Sequence, residues 1–362
     1  MTIMHKGAEG IDHERVVIRQ DPETGMKLIV AVHSTVLGPS LGGMRLRAYP
    51  GGLSEALEDV LALARTMTLK ASAAGLDLGG GKAVMLDDGN AQLRDARMSA
   101  AARAIDELHG AYITAEDIGT TTADMDLMSR HTRWVVGKSE QNGGRGDPSP
   151  VTAETVKRAM QRGLSAATGS AELEGRVVGV VGLGKVGGPL ARKLAADGAR
   201  VIGCDLDRAR ADGLVEEGVL ESATSVESVL ARELDVLAPC AAGGFVDAAI
   251  AAAVDCRVVC GAANNPLASP EVAGQLAARG VLYVPDFLAN CGGLINVAAE
   301  WTHAGDADVD AHIATAMARL DGALAESTRT GEPPAAVAER QALERVEHAR
   351  ERRRASALAA VA

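Results

Sequence analysis

The 362-residue chain is expected to fold as an α/β protein of two domains, an α/β domain first and a doubly wound parallel sheet covered by helices second, with a C-terminal helical segment. Three observations carry this expectation. At roughly 100–200 residues per domain, the length suits two cores better than one. From Arg176 to Val284 short apolar runs alternate with helix-like runs, the rhythm of a parallel sheet. Between Gly137 and Pro150 the texture turns to Gly, Ser, Asn, Asp and Pro, a linker composition that separates this segment from what precedes it. The expected domains are residues 1–140, 141–335 and 336–362, with the last segment packing back on the first domain.

In the first domain, Val16–Arg19 and Lys27–Val32 read as strands joined by the turn signal Asp21-Pro22-Glu23-Thr24-Gly25. Leu57, Val60, Leu61, Ala64 and Met67 recur at helical spacing, so Ser54–Lys70 reads as a helix with Ser54 as its N-cap. Ala83–Leu86 is a strand, Asp95–His109 a helix closed by Gly110, and Tyr112–Thr114 another strand. Gly143-Gly144-Arg145-Gly146-Asp147 is expected to act as a hinge or cleft loop. Beyond it Val151–Thr168 is helical, and strands are expected at Arg176–Val181, Arg200–Cys204, Val236–Ala238, Val258–Cys260 and Leu282–Val284. From Ala311 the chain is mainly helical, broken at Gly331-Glu332-Pro333-Pro334.

Composition excludes several classes. Apolar residues make up 47% and charged residues 23%, the balance of a folded globular chain. No run approaches the ~18–20 apolar residues of a membrane span, and Met1–Gly7, followed by Glu9, Asp12 and Glu14, lacks a signal-peptide apolar region. A cytoplasmic location with no membrane partner is expected. With 37 basic against 48 acidic residues the net charge is −11, which repels nucleic acid. The one basic run, Arg350-Glu351-Arg352-Arg353-Arg354, reads as a solvated helix face. The five cysteines contain no Cys-x-x-Cys pair and read as free core thiols; the eight histidines contain no His-Glu-x-x-His, so no metal site is expected.

Val180-Val181-Gly182-Leu183-Gly184-Lys185-Val186-Gly187 is a G-x-G-x-x-G placed between a buried strand and a helix. Gly182 permits the tight turn, Gly184 lets backbone approach a pyrophosphate, and Gly187 packs helix on strand, while the helix N-terminus offers unpaired N–H groups. Asp205 ends the next strand, 23 residues after Gly182, where an acid grips ribose hydroxyls. Its charge would repel a 2′-phosphate, so NAD is expected over NADP, a preference that the nearby Arg208 and Arg210 weaken. This second domain is therefore Rossmann-like.

The first domain carries a second informative constellation. Gly42-Gly43 reads as a loop, Lys70 as the end of a helix, and Lys82 follows Gly79-Gly80-Gly81 into a strand. Glycines before a lysine expose backbone N–H groups and let a substrate come close. Two lysines converging on one cleft disfavour each other's charge, so one of them would be neutral near pH 7 and serve as a base.

These segments resemble the glutamate/leucine/phenylalanine/valine dehydrogenases, most closely the leucine and valine branch. The similarity is carried by Leu76-Asp77-Leu78-Gly79-Gly80-Gly81-Lys82-Ala83-Val84, by Leu37–Gly43, Ile113–Thr120 and Ala238–Ala241, and by Gly261–Asn265 and Pro285–Gly293. It runs from about residue 15 to 340. The resemblance implies that Lys70 and the Gly42-Gly43 backbone bind a substrate α-carboxylate. It implies that Lys82 is a low-pKa lysine activating or hydrogen-bonding the water that attacks an imine, and that Asp117 handles protons at the amino nitrogen. It places Thr152 and Asn264 against the nicotinamide, with Lys185 and Val186 in the cofactor turn. The implied reaction is reversible NAD-dependent oxidative deamination of an L-amino acid to a 2-oxo acid and ammonia, in a homo-oligomer between dimer and octamer whose domains close over the substrate.

The family's side-chain pocket corresponds to Leu41, Met67, Ala115, Leu294 and Val297, all apolar. In the glutamate enzymes the counterparts of Leu41 and Val297 are a lysine and a serine that bind a second carboxylate. Without them a buried carboxylate would go unpaired, at a cost of several kcal/mol, roughly 2–7 for a polar group and more for a charge. A branched-chain or small aliphatic substrate is therefore expected. The alternatives are an unusual amino acid in a specialised pathway, to which Cys291 and Ala299-Glu300-Trp301 point as departures from the family pattern, or a non-catalytic sensor of NAD or an amino acid.

Overall fold

The computed structural model describes residues 2–5 and 12–361. They form two compact units: the described residues up to Pro148 with Leu294–Val309 and those from Ala342 onward make the first, and Ser149–Gly293 with Asp310–Gln341 make the second.

The first unit is built on β1 (Thr2–His5), β2 (Arg15–Asp21), β3 (Met26–Ser34), β4 (Ser40–Arg47), α1 (Gly52–Ala73), β5 (Gly79–Leu86), α2 (Arg94–Asp106), β6 (Tyr112–Glu116) and α3 (Thr122–Met128). Its described strands form a mixed sheet in the order β1-β2-β3-β5-β4-β6, with β4, β5 and β6 mutually parallel. The sheet is covered on both faces, which is why Lys27–Val32 is a nearly unbroken apolar run. Ile29, Ala31 and Val84 pack with Ala56, Val60 and Ala64 of α1 on one face. Leu28, Val30, Val32, Met44, Ala83 and Met85 pack with Met98 and Ile105 of α2 and Met125 and Met128 of α3 on the other. Side-chain alternation then places Lys82, two residues before Val84, on the α1 face.

The second unit contains α4 (Ser149–Thr168), β7 (Val177–Val181), α5 (Gly187–Ala196), β8 (Arg200–Cys204), α6 (Arg208–Glu216), β9 (Ser222–Ala223), α7 (Val226–Leu230), β10 (Leu234–Pro239), α8 (Ala248–Ala253), β11 (Cys256–Val259), α9 (Glu271–Ala278), β12 (Leu282–Tyr283) and α10 (Asp286–Ala289). All described pairings in its sheet are parallel, in the order β12-β11-β10-β7-β8-β9. The chain order reverses between β7 and β10, so the crevice beyond their carboxyl ends is where a Rossmann sheet takes its ligand. The helices α11 (Gly292–Thr302), α12 (Asp306–Thr330) and α13 (Pro334–Val361) complete the chain. No described helix is long and apolar enough to cross a membrane.

Several expectations change. The boundary expected at residue 140 falls after Pro148, Leu294–Val309 clusters with the first unit, and the last helix starts at Pro334 and joins that unit from Ala342. Local pattern identifies such helices but not the sheet to which each returns. Helix α1 starts at Gly52 with Gly51 as its N-cap, not at Ser54, and extends past Lys70 to Ala73. The Gly42-Gly43 pair is not a loop: it lies within β4, and the Gly79–Gly81 triplet is the start of β5 rather than a lead-in to it. Glycine in these runs suggests irregular chain, whereas close packing is what requires it.

The Gly143–Asp147 segment, expected as a hinge or cleft loop, is tied to α11 through Arg145. Glu300 Oε2 accepts hydrogen bonds from the backbone N–H of Gly137 (2.9 Å) and of Arg145 (3.3 Å), and Arg145 Nε donates to Asn296 Oδ1 (3.2 Å). A buried carboxylate on α11 thus gathers amides that a turn-rich sequence leaves without ladder partners.

Candidate active site

Lys82 and Asp117 meet: Lys82 Nζ lies 3.1 Å from Asp117 Oδ1, and the lysine side chain is only 6% exposed. The other carboxylate oxygen, Oδ2, accepts a hydrogen bond from Arg45 Nε at 3.0 Å. Burial pushes the Asp117 carboxyl up, but Lys82 and then Arg45 outweigh it and hold the group below its ordinary value. The near neighbour of Lys82 is thus a carboxylate, where the sequence suggests a second lysine.

Backbone geometry explains why glycines surround this cluster. A Cβ on Gly43 would sit 2.7 Å from Asp117 Cβ, and one on Gly42 would sit 1.8 Å from the carbonyl oxygen of Gly81 and 3.3 Å from Met67 Cγ. A Cβ on Gly80 would meet the backbone nitrogen of Thr68 in α1 at 2.0 Å. Strand β4 and helix α1 can press onto β5 only because these side chains are absent. The Tyr112 hydroxyl donates to the carbonyl of Gly42 at 2.6 Å, and the Asp117 amide donates to Thr120 Oγ1 at 2.8 Å, so both approaches are held from behind. Lys70 is buried in the last turn of α1. Of the apolar positions expected to line the side-chain pocket, Leu41, Ala115, Leu294 and Val297 are buried and Met67 is half-buried; all five belong to this unit.

The second unit carries the nucleotide-type turn. Gly182 has φ +96°, in the region that favours glycine, and a Cβ on Gly187 would lie 1.9 Å from the carbonyl oxygen of Gly182. Gly184 faces space: the nearest atom to its would-be Cβ is a guanidinium nitrogen of Arg210 at 3.7 Å. This combination, a tight turn, an approachable backbone and a helix N-terminus at Gly187 with Lys185 and Val186 between, fits a pyrophosphate. Asp205 is bound into the turn, accepting from the Leu183 amide at 2.7 Å and the Asp207 amide at 2.8 Å, and each oxygen keeps a lone pair for a further donor. Asn264 is exposed and its Oδ1 accepts from Asn290 Nδ2 at 3.0 Å, while Thr152 is buried near the start of α4.

Comparison with known proteins places the chain in a family. The profile described as Glu/Leu/Phe/Val dehydrogenase, dimerisation domain, matches residues 13–134, and that of Glutamate/Leucine/Phenylalanine/Valine dehydrogenase matches residues 206–354. Valine dehydrogenase of Streptomyces coelicolor is 42% identical over 97% of this chain and 96% of its own. The chain belongs to the Glu/Leu/Phe/Val dehydrogenase family. It is an amino-acid dehydrogenase.

Leucine dehydrogenase of Thermoactinomyces intermedius is 40% identical to this family member over 95% of the chain and 94% of its own. The crystal structure of L-tryptophan dehydrogenase from Nostoc punctiforme superposes with a TM-score of 0.82 at 29% identity, covering 94% of this chain and 97% of that one. Residues 152–242 also match the NAD-binding domain of D-isomer-specific 2-hydroxyacid dehydrogenases, so the second unit of this dehydrogenase is a nicotinamide-cofactor domain.

Sequence reasoning missed Arg45, Asp59 and Tyr49. Arg45 Nη1 contacts both oxygens of Asp59 (3.2 and 3.0 Å), and Asp59 Oδ2 accepts from the Tyr49 hydroxyl at 2.6 Å. The available signal was slight: Arg45 stands two residues past Gly43, and Asp59 is an acid beside the apolar stripe of α1.

Proposed function

We propose that this dehydrogenase oxidatively deaminates a branched-chain or small aliphatic L-amino acid to the 2-oxo acid and ammonia, reversibly, with NAD as the electron acceptor. The observation that carries the reading is the ion pair of buried Lys82 with half-buried Asp117, in the same unit as an apolar set of pocket positions. Lys70 and the Gly42-Gly43 backbone hold the substrate α-carboxylate. Asp117 Oδ1 takes a proton from the amino nitrogen and returns it, and Lys82 Nζ orients the water that adds to the imine carbon. A bound nicotinamide dinucleotide would supply the acceptor for the Cα hydride; Thr152 and Asn264 would hold its nicotinamide ring, and Gly182, Gly184, Lys185, Val186 and Gly187 its pyrophosphate. Water and the imine give a carbinolamine, which expels ammonia and leaves the 2-oxo acid.

The names of the relatives support an aliphatic substrate, as does a pocket in which Leu41 and Val297 offer no partner to a second carboxylate. One methylene discriminates by only about 1–3 kcal/mol, so valine, leucine, isoleucine and 2-aminobutyrate are all expected to react to some degree. Asp205 supports NAD over NADP through repulsion of a 2′-phosphate. A panel of L-amino acids assayed at 340 nm with NAD and NADP separately tests this: aliphatic substrates with NAD are expected to dominate. Preferred turnover of L-glutamate, or thermal stabilisation by aliphatic amino acids with no NADH formed, would replace the reading with a glutamate enzyme or a sensor respectively. Self-association through the first unit is part of the proposal, given the dimerisation-domain match. Sedimentation is expected to show a dimer or larger, and a monomer at micromolar concentration would contradict it.

A further inference from the structure

Asp117 has two oxygens and two cationic neighbours, and the neighbours differ in kind. Lys82 reaches Oδ1 with a rotatable ammonium, whereas Arg45 holds Oδ2 through Nε, a donor fixed in the guanidinium plane. Arg45 itself cannot swing away. Its Nη1 is clamped by both oxygens of Asp59, and the Tyr49 hydroxyl anchors Asp59 in turn. The guanidinium side chain is 12% exposed, so the chain of contacts is largely shielded from water. A single ammonium offers no such pair of fixed directions, one toward β6 and one toward α1.

We infer that Arg45 is a positioning residue for the reaction: clamped by Asp59, it immobilises Asp117 Oδ2, so that Oδ1 alone is presented to Lys82 and to the substrate nitrogen. This rests on the role given to Asp117 above. A carboxylate free to rotate about its Cβ–Cγ bond would spend part of its time with neither oxygen aimed at the amine, and small misplacements of a proton acceptor are costly. The charge pattern agrees. The groups facing Asp117 are Lys82 from β5 and Arg45 from β4, with Asp59 of α1 behind the arginine. Tyr112 lies on β6 itself, its phenol pushed up by burial, with the charge of Asp117 adding to the push. Burial pushes Asp117 up, and Lys82 and Arg45 together reverse this. Without Arg45 only one cation opposes burial, so Asp117 would stay protonated to a higher pH.

The test uses the full-length enzyme, its best amino acid from the panel, and initial rates across pH at saturating cofactor, with thermal unfolding alongside. Arg45→Met is expected to lower kcat about ten- to a hundredfold, less than the roughly 10²–10⁴-fold for loss of the proton-transfer group itself. The KM for the amino acid should change by less than about threefold, since Arg45 does not touch it. The acid limb of the pH profile moves to higher pH. Arg45→Lys, which keeps the charge but not the fork, is expected to leave that limb near the parent's while kcat stays several-fold low. A folded Arg45→Met enzyme with parental kcat, or with reduced kcat and an unmoved acid limb, overturns the inference. If Arg45→Met does not fold, Arg45→Lys decides, and parental kcat there overturns it. Asp117→Asn separates the two levels. If it is as active as the parent, the reading of the site fails; if it is inactive while Arg45→Met is parental, only the role of Arg45 fails.

Discussion

Lys82→Ala is expected to remain folded and to lose about 10²–10⁴-fold or more in kcat, the range for removal of a positioned acid–base group. The fold survives because Asp117 keeps its hydrogen bond to Arg45, so the substitution does not leave a half-buried carboxylate without a counter-charge. The variant also has a pH signature. In the parent the Asp117 carboxyl is held below its ordinary value, so its pairing stabilises the folded state at neutral pH and that contribution is lost as pH falls through the folded-state pKa. Removing Lys82 takes away the stronger of the two charges that lower it. The folded-state pKa then rises toward the unfolded one, less stabilisation is present at neutral pH, and acid unfolding begins at a higher pH than in the parent. Circular dichroism against pH reads this, and NADH formation reads the activity. A variant with more than about a tenth of the parental kcat would remove Lys82 from the chemistry.

Gly42→Ala is the second large effect, and it acts on the fold itself. The new methyl group would lie 1.8 Å from the Gly81 carbonyl oxygen, an atom of the neighbouring strand that cannot rotate away. To admit it, β4 and β5 must part beside Lys82, and a cost above about 4 kcal/mol is expected, in the range where single substitutions unfold a domain. Gly213→Ala is the control. Nothing lies within 4 Å of that Cβ position on α6, so the substitution should instead stabilise by about 0.5–1 kcal/mol through helix propensity. Urea midpoints for the two variants are expected to move in opposite directions. A soluble Gly42→Ala protein with the parental midpoint would show that β4 is not pressed against β5 as described.

Much of this protein was legible in the chain itself. The parallel sheet of the second unit announced itself through the alternation of apolar runs and helical spacing, because those periods follow directly from strand and helix geometry. The Gly182–Gly187 turn was legible for the same reason: a left-handed φ and a helix pressed on a strand both demand glycine at set positions. Lys82 and Asp117, which the fold brings together, could be picked out by their flanking runs. Tertiary structure decided the rest. Gly42-Gly43 reads as a loop until β5 is laid beside it, since a residue chosen for close approach looks the same in sequence as one chosen for flexibility. Arg45 and Asp59 carry only a slight local signal. Their value comes from a strand and a helix folding so that one guanidinium faces two carboxylates, 14 and 72 residues away along the chain. Periodicity is a property of neighbours in sequence, whereas charge pairing across a sheet is a property of neighbours in space, and only folding turns one into the other.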